Sequence, residues 1–139
     1  SLHDALPISM ETTTQPLTLA TMPALGANFD GGTFAGLTTK PDGTHCAVVL
    51  LPVAGKDLTW KKAIAWATEQ GGELPSRPVA ALLFANVKSA LTPEWHWTNE
   101  EFSASYAWGC HFNGGGQLTH GGKSFKGSAV AVRLIPLTA

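Results

Sequence analysis

GGELPSRPVAALLFANVKSALTPEWHW, residues 71–97, is the stretch whose reading decides the fold. The pair Gly71-Gly72 stops one helical pattern, and Leu74-Pro75 turns the chain. Ser76 then offers a side-chain oxygen to the orphan N–H groups of a new helix. Pro78 falls in that helix's first turn, where a missing N–H costs little. Val79, Leu82, Leu83 and Val87 recur at helical spacing and predict its buried stripe. At Trp95 the apolar period changes to two, so this stretch is where helical sequence hands over to strand sequence.

Upstream, Trp60, Ala63, Ile64 and Ala67 repeat at helical spacing, with Lys61, Lys62, Thr68 and Glu69 largely opposite. They predict an amphipathic helix capped by Asp57 or Thr59 and ended by the glycine pair. Before it, His45–Leu51 is a continuous apolar run bounded by Pro52, as expected of a central strand covered on both faces. Pro41-Asp42-Gly43 predicts the hairpin turn that delivers the chain into this strand. Leu17–Leu37 alternates loosely around Gly26, Asp30-Gly31-Gly32 and Gly36, which suggests short strands joined by tight turns.

Downstream, Trp95 and Trp97 share one strand face. Tyr106, Trp108, Cys110 and Phe112 share a second, and Val130, Val132 and Leu134 a third. Asn113–Gly116 and His120-Gly121-Gly122 are the expected turns between these antiparallel strands. The fold class is therefore α+β, with two helices followed by several antiparallel strands.

The 139 residues fit one domain, large enough to bury roughly two thirds of the surface of its unfolded chain. Residues 1–16 read as a disordered or non-native leader, and residues 17–139 as the domain. Within the leader, SLHDALPI resembles translated adapter sequence, which makes Met10 the expected natural start. A net charge of -1 gives no electrostatic reason to bind nucleic acid or an anionic membrane. No run approaches the roughly 20 apolar residues of a membrane span, and no secretory signal is visible. The expected location is the cytoplasm of a bacterial host, unless the chain rides on a virion. Cys46 and Cys110 form no CxxC pair. Two reduced, partly buried thiols are the first reading, and one long-range disulfide is the alternative.

The order LTWKKAIAWATEQGGELPSR, ALLFANV, EWHWTNEEFSASYAWGCHF and KSFKGSAVAVRLI resembles a bacterial and phage family of unknown function. That family is related to the C-terminal domain of a collagen-like adhesin and has a C-type-lectin-like fold. The resemblance spans about residues 24–135. The helix–LPSR–helix portion also resembles the formylglycine-generating enzyme fold, itself a relative of the lectin fold. The resemblance implies two helices packed on a mixed, mostly antiparallel sheet whose N- and C-terminal strands pair, with a late irregular β region that presents the ligand surface. Some relatives are variable proteins of diversity-generating retroelements. Their diversified window corresponds here to Gly109–Gly122 and gives His111, Asn113, Gln117, Thr119 and His120 as candidate ligand contacts. Trp108 and Phe112 are the expected buried supports. Arg133 is the one basic residue retained in GSAVAVRL.

Other constellations are weaker. Lectin-type calcium triplets are absent, and Trp97–Glu101, the nearest oxygen cluster, reads as a solvated loop that includes Asn99. His96, His111 and His120 match no zinc spacing. Cys110 lacks the nearby cysteine that a formylglycine-generating chemistry needs, and no nucleophile elbow is visible. Trp95 and Trp97 could stack on a sugar ring, although core packing is the better reading. No cofactor and no catalytic residue is expected. The function expected is a non-enzymatic recognition domain for a protein or glycan; the alternative is a cytoplasmic phage inhibitor of a host factor. Oligomeric state is open.

Overall fold

The computed structural model describes residues 17–119 and 122–138. The leader, His120 and Gly121 lie outside them. Seven strands are formed: β1 (Asn28–Phe29), β2 (Gly32–Thr39), β3 (His45–Leu58), β4 (Trp95–Glu101), β5 (Ala107–His111), β6 (Gln117–Leu118) and β7 (Gly127–Pro136). Helices α1 (Trp60–Glu69) and α2 (Arg77–Val87) stand between β3 and β4. The strands make one sheet in the order β1-β2-β3-β7-β4-β5-β6. Every neighbouring pair is antiparallel except β4 and β7.

The Pro41–Gly43 turn closes as expected. Gly43 takes φ +92°, and the Asp42 carboxylate accepts the Thr44 N–H at 2.9 Å. Cys46–Leu51 of β3 is buried on both faces. Pro52 does not end this strand. The register shifts between Leu50 and Ala54, and this bulge absorbs the missing donor so that pairing with β7 resumes as far as Leu58.

Thr59 caps α1, its Oγ1 accepting the Lys62 N–H at 3.4 Å, whereas Asp57 sits at a positive φ outside the helix. The glycine pair ends α1 in a Schellman motif: Gly71 N–H bonds Thr68 O, Gly72 N–H bonds Ala67 O, and Gly71 takes φ +83°. Ala63 and Ala67 are buried under α1, but Ile64 is exposed at the margin of its stripe. In α2 the buried residues are Val79, Ala80, Leu83 and Val87, with Leu82 only partly covered.

The helices lie on opposite faces of the sheet, because alternate residues of β7 serve different clusters. Val130 and Val132 pack with α2, and Ala129 and Ala131 pack with α1. Leu17 covers a third cluster with Phe34 and Ala47. The C-terminal strand pairs with β3 and β4 rather than with β1, and Leu17 O accepts both the N–H and the hydroxyl of Thr138, at 2.7 and 3.2 Å. Cys46 and Cys110 are both buried and free. Their strands are three spacings apart in the sheet, about 14 Å, which is too far for a disulfide.

The sheet forks. β4 and β7 share a single register pair, His96 with Ser128. Further along, Glu73 takes the place of a β4 partner, exchanging both backbone hydrogen bonds with Val132 at 2.9 and 2.8 Å. Asn99 N–H in turn bonds Pro75 O. The segment between the helices is thus a wedge between two diverging strands. Gly72 permits it, since a Cβ there would lie 2.6 Å from Val132 O.

Candidate functional site

The fork opens at the carboxyl ends of β4 and β7, and α2 starts in its mouth. Ser76 caps α2 by accepting the Val79 N–H at 3.3 Å. The first turn carries no acidic residue and begins with Arg77, a charge that the positive end of a helix dipole disfavours. Strand β4 compensates: the Glu100 carboxylate accepts the Arg77 backbone N–H at 2.8 Å. The Arg77 side chain turns away onto β5, with its guanidinium carbon 3.5 Å from the centre of the Trp108 ring. Gln117 of β6 fixes it from both sides, its Oε1 accepting the Arg77 Nε–H at 2.9 Å and its Nε2 donating to Arg77 O at 2.7 Å.

Two depressions flank this helix start. One, about 600 Å³, lies between the β2–β3 turn and the fork, and Asp42, Glu73, Asn99 and Glu100 form part of its lining. The other, about 530 Å³, is lined by Arg77, Pro78, Ala81, Glu100, Gly115 and Gln117. Beyond Trp108 the β4–β5 turn presents Phe102, whose ring meets Trp108 edge-on at 5.6 Å, and Tyr106. Phe102, Tyr106 and Phe125 are the exposed aromatic residues among those described, and all three belong to the late β region.

The structure disperses the residues singled out in the sequence. Gln117 and Asn99 reach the start of α2, one on each side of it. Gln117 is held by Arg77, while Asn99 is exposed. His111 is half-buried at the end of β5, where its Nδ1 accepts the Asn113 N–H at 3.3 Å. Asn113 is exposed in the following turn and Thr119 is half-buried after β6. His120 falls outside the described residues. Trp95 and Trp97 are 8% and 0% exposed and belong to the core, so neither offers a face to a ligand. Trp97–Glu101 is strand rather than loop, and Thr98 is fully buried with its hydroxyl donating to Trp108 O at 2.7 Å. Phe112 is buried as expected, but Trp108 is half-buried, with Arg77 on its face.

His96 is buried. Its Nδ1 donates to Glu94 O at 2.8 Å, its Nε2 lies 3.4 Å from Thr92 Oγ1, and its ring packs on Phe112 at 4.6 Å. Burial holds its pKa below the ordinary histidine value. Burial likewise pushes the Cys110 thiol up, which suppresses the reactive thiolate. Among the described residues no three His, Cys, Asp or Glu side chains gather as metal ligands. No helix among them is long and apolar enough to cross a membrane.

Arg77 is the residue that the sequence reading passed over. Its one signal was an arginine in the first turn of a helix with no local acid, an arrangement that needs a tertiary partner. The partners, Trp108 and Gln117, are 31 and 40 positions away, too far for local spacing to show.

No protein-family model matches the chain, and no curated protein matches it.

Proposed function

We propose that the chain is a non-enzymatic recognition domain of C-type-lectin-like architecture, from a phage or bacterium, that binds a protein or glycan through its late β surface. The observation that carries this reading is the gathering of exposed aromatic side chains, Phe102, Tyr106 and Phe125, in one part of the chain. Phe102 stands edge-on to the half-buried Trp108 and Tyr106 lies in the same turn, and adjoining exposed apolar groups of this kind mark interaction sites. The binding surface extends from the Gly109–Gly122 window to the β4–β5 turn and the start of α2. The two helices, the mixed sheet and the irregular late strands support the lectin-like assignment.

The test is a double variant, Phe102→Ala with Tyr106→Ala, compared with the unaltered protein on a glycan array and in capture from host lysate. The expected outcome is binding by the unaltered protein, loss of that binding in the variant, and a melting temperature that barely moves, because exposed substitutions cost within about 0.5 kcal/mol each. Binding that persists in the variant would place the surface elsewhere.

A further inference from the structure

We infer that the Arg77 guanidinium is the anchor of the late β surface and that it receives a carboxylate from an acidic segment of a protein partner. This rests on the recognition reading above and names its ligand chemistry.

The first argument is pre-organisation. Arg77 is stacked on Trp108 and hydrogen-bonded through Nε to Gln117, so this cation is already ordered. Among the described residues, neither terminal Nη of its guanidinium donates to a protein group. These two donors are what a bidentate carboxylate takes, and little side-chain entropy remains to be lost when it does. Glu100 lines the same depression without forming an ion pair with the guanidinium; its carboxylate is engaged by the Arg77 backbone N–H.

The second argument is composition. An arginine beside Trp108, with Phe102 and Tyr106 in the adjoining turn, is the residue set that dominates the energetic centres of protein interfaces. The depression beside it, walled by Pro78, Ala81 and Gly115, is open enough for a side chain to enter.

The third is charge. From Phe102 to the last residue the chain contains no Asp or Glu, while Lys123, Lys126 and Arg133 fall in the same stretch. Lys126 is exposed, whereas Lys123 is paired with Glu101 and Arg133 with Asp30. The chain after Glu101 therefore brings no carboxylate to Arg77, and Glu100, the carboxylate beside it, is taken up by the Arg77 backbone N–H, while Lys126 adds an exposed positive charge. Complementarity favours an acidic partner and a faster encounter with it.

The experiment is selection of a random dodecapeptide display library on the full protein, followed by affinity measurement of selected peptides against Arg77→Lys, Arg77→Gln and unaltered protein. Each variant's melting curve is recorded to verify folding, and the glycan array is run alongside. The expected result is enrichment of Asp or Glu beside apolar residues, with affinity falling about 10- to 100-fold in Arg77→Gln. Arg77→Lys should rescue little, since lysine keeps the charge but loses the planar fork and the stacking. Affinity of the unaltered protein should weaken as salt rises. Peptides without acidic enrichment, or acidic peptides indifferent to Arg77→Gln in a folded variant, would overturn the anchor. A glycan signal lost with Phe102→Ala and unaffected by Arg77→Gln would overturn it while leaving the recognition reading intact. Silence on both arrays would overturn the two together.

Discussion

The two halves of the sheet are held together by different forces. In the β2–β3–β7 half, strands pair through long registers, from Thr39 with His45 to Thr33 with Leu50, and from Cys46 with Pro136 to Leu58 with Gly127. The β4–β5–β6 half meets β7 at one register pair; two backbone bonds, Asn99 N–H to Pro75 O and Trp60 N–H to Lys123 O, tie it to the helical segments, and the rest of its attachment is through side chains. The Trp97 indole N–H donates to Leu58 O, and the Trp60 indole N–H to Thr98 O, each at 2.8 Å. Trp95, Trp97 and Ala107 pack with Leu51, Ala129 and Ala131 on one face; Cys110 and Phe112 pack with Val130 and Val132 on the other. A backbone ladder tolerates most single side-chain changes. An attachment made of a few large rings does not, so the late half should be the part that sequence change can detach.

The largest expected effect follows directly. Trp97→Ala removes a fully buried ring and the Leu58 hydrogen bond, and should cost about 3–5 kcal/mol in a denaturant titration. Amide exchange should show β4–β6 losing protection ahead of β3 and β7. Equal loss in both halves would break the comparison.

A smaller, pH-dependent effect comes from His96 at the single pair that joins the halves. Thr92, the Glu94 carbonyl and Phe112 surround it, with the Glu94 carboxylate and His111 as the nearby charged or titratable groups. Burial keeps the folded imidazole neutral below its usual pKa of 6.5, so the unfolded chain takes up the proton first. Stability is therefore complete above pH 6.5 and declines as pH falls from there towards the depressed folded value. Urea midpoints at about pH 7.5 and 5.5 should differ in that sense, and His96→Gln should flatten the difference. A midpoint independent of pH would remove His96 from the joint.

The smallest effect is expected on the rim. His111→Ala and Asn113→Ala, alone or together, should each change stability by no more than about 0.5 kcal/mol. A larger loss, measured by thermal melting, would mean that the Asn113 N–H to His111 Nδ1 bond holds the β5–β6 turn.

Local chemistry made much of this fold legible. Thr59, the Gly71-Gly72 stop, the Ser76 cap and the Pro41–Gly43 turn each act within a few residues, and each stands where the sequence places it. What the sequence left hidden is set by contacts between distant residues. Pro52 reads as a strand end because its lost donor is visible and the bulge that accommodates it is not. The wedge at Glu73 depends on Val132, 59 positions later. The candidate site divides along the same line: Asn99 was visible as a polar residue of an expected loop and Gln117 as one of the resemblance-derived window, whereas Arg77 gains its meaning only when Trp108 is brought beneath it.

The two buried thiols give each half of the sheet its own clock. Cys46 sits within the backbone ladder and Cys110 within the attached half, and neither is accessible in the closed fold. An alkylating reagent in excess therefore reads opening rates at two addresses at once, without any label being introduced. Mass spectrometry of the two modified peptides would time the detachment of one half against the unravelling of the other in the unaltered protein.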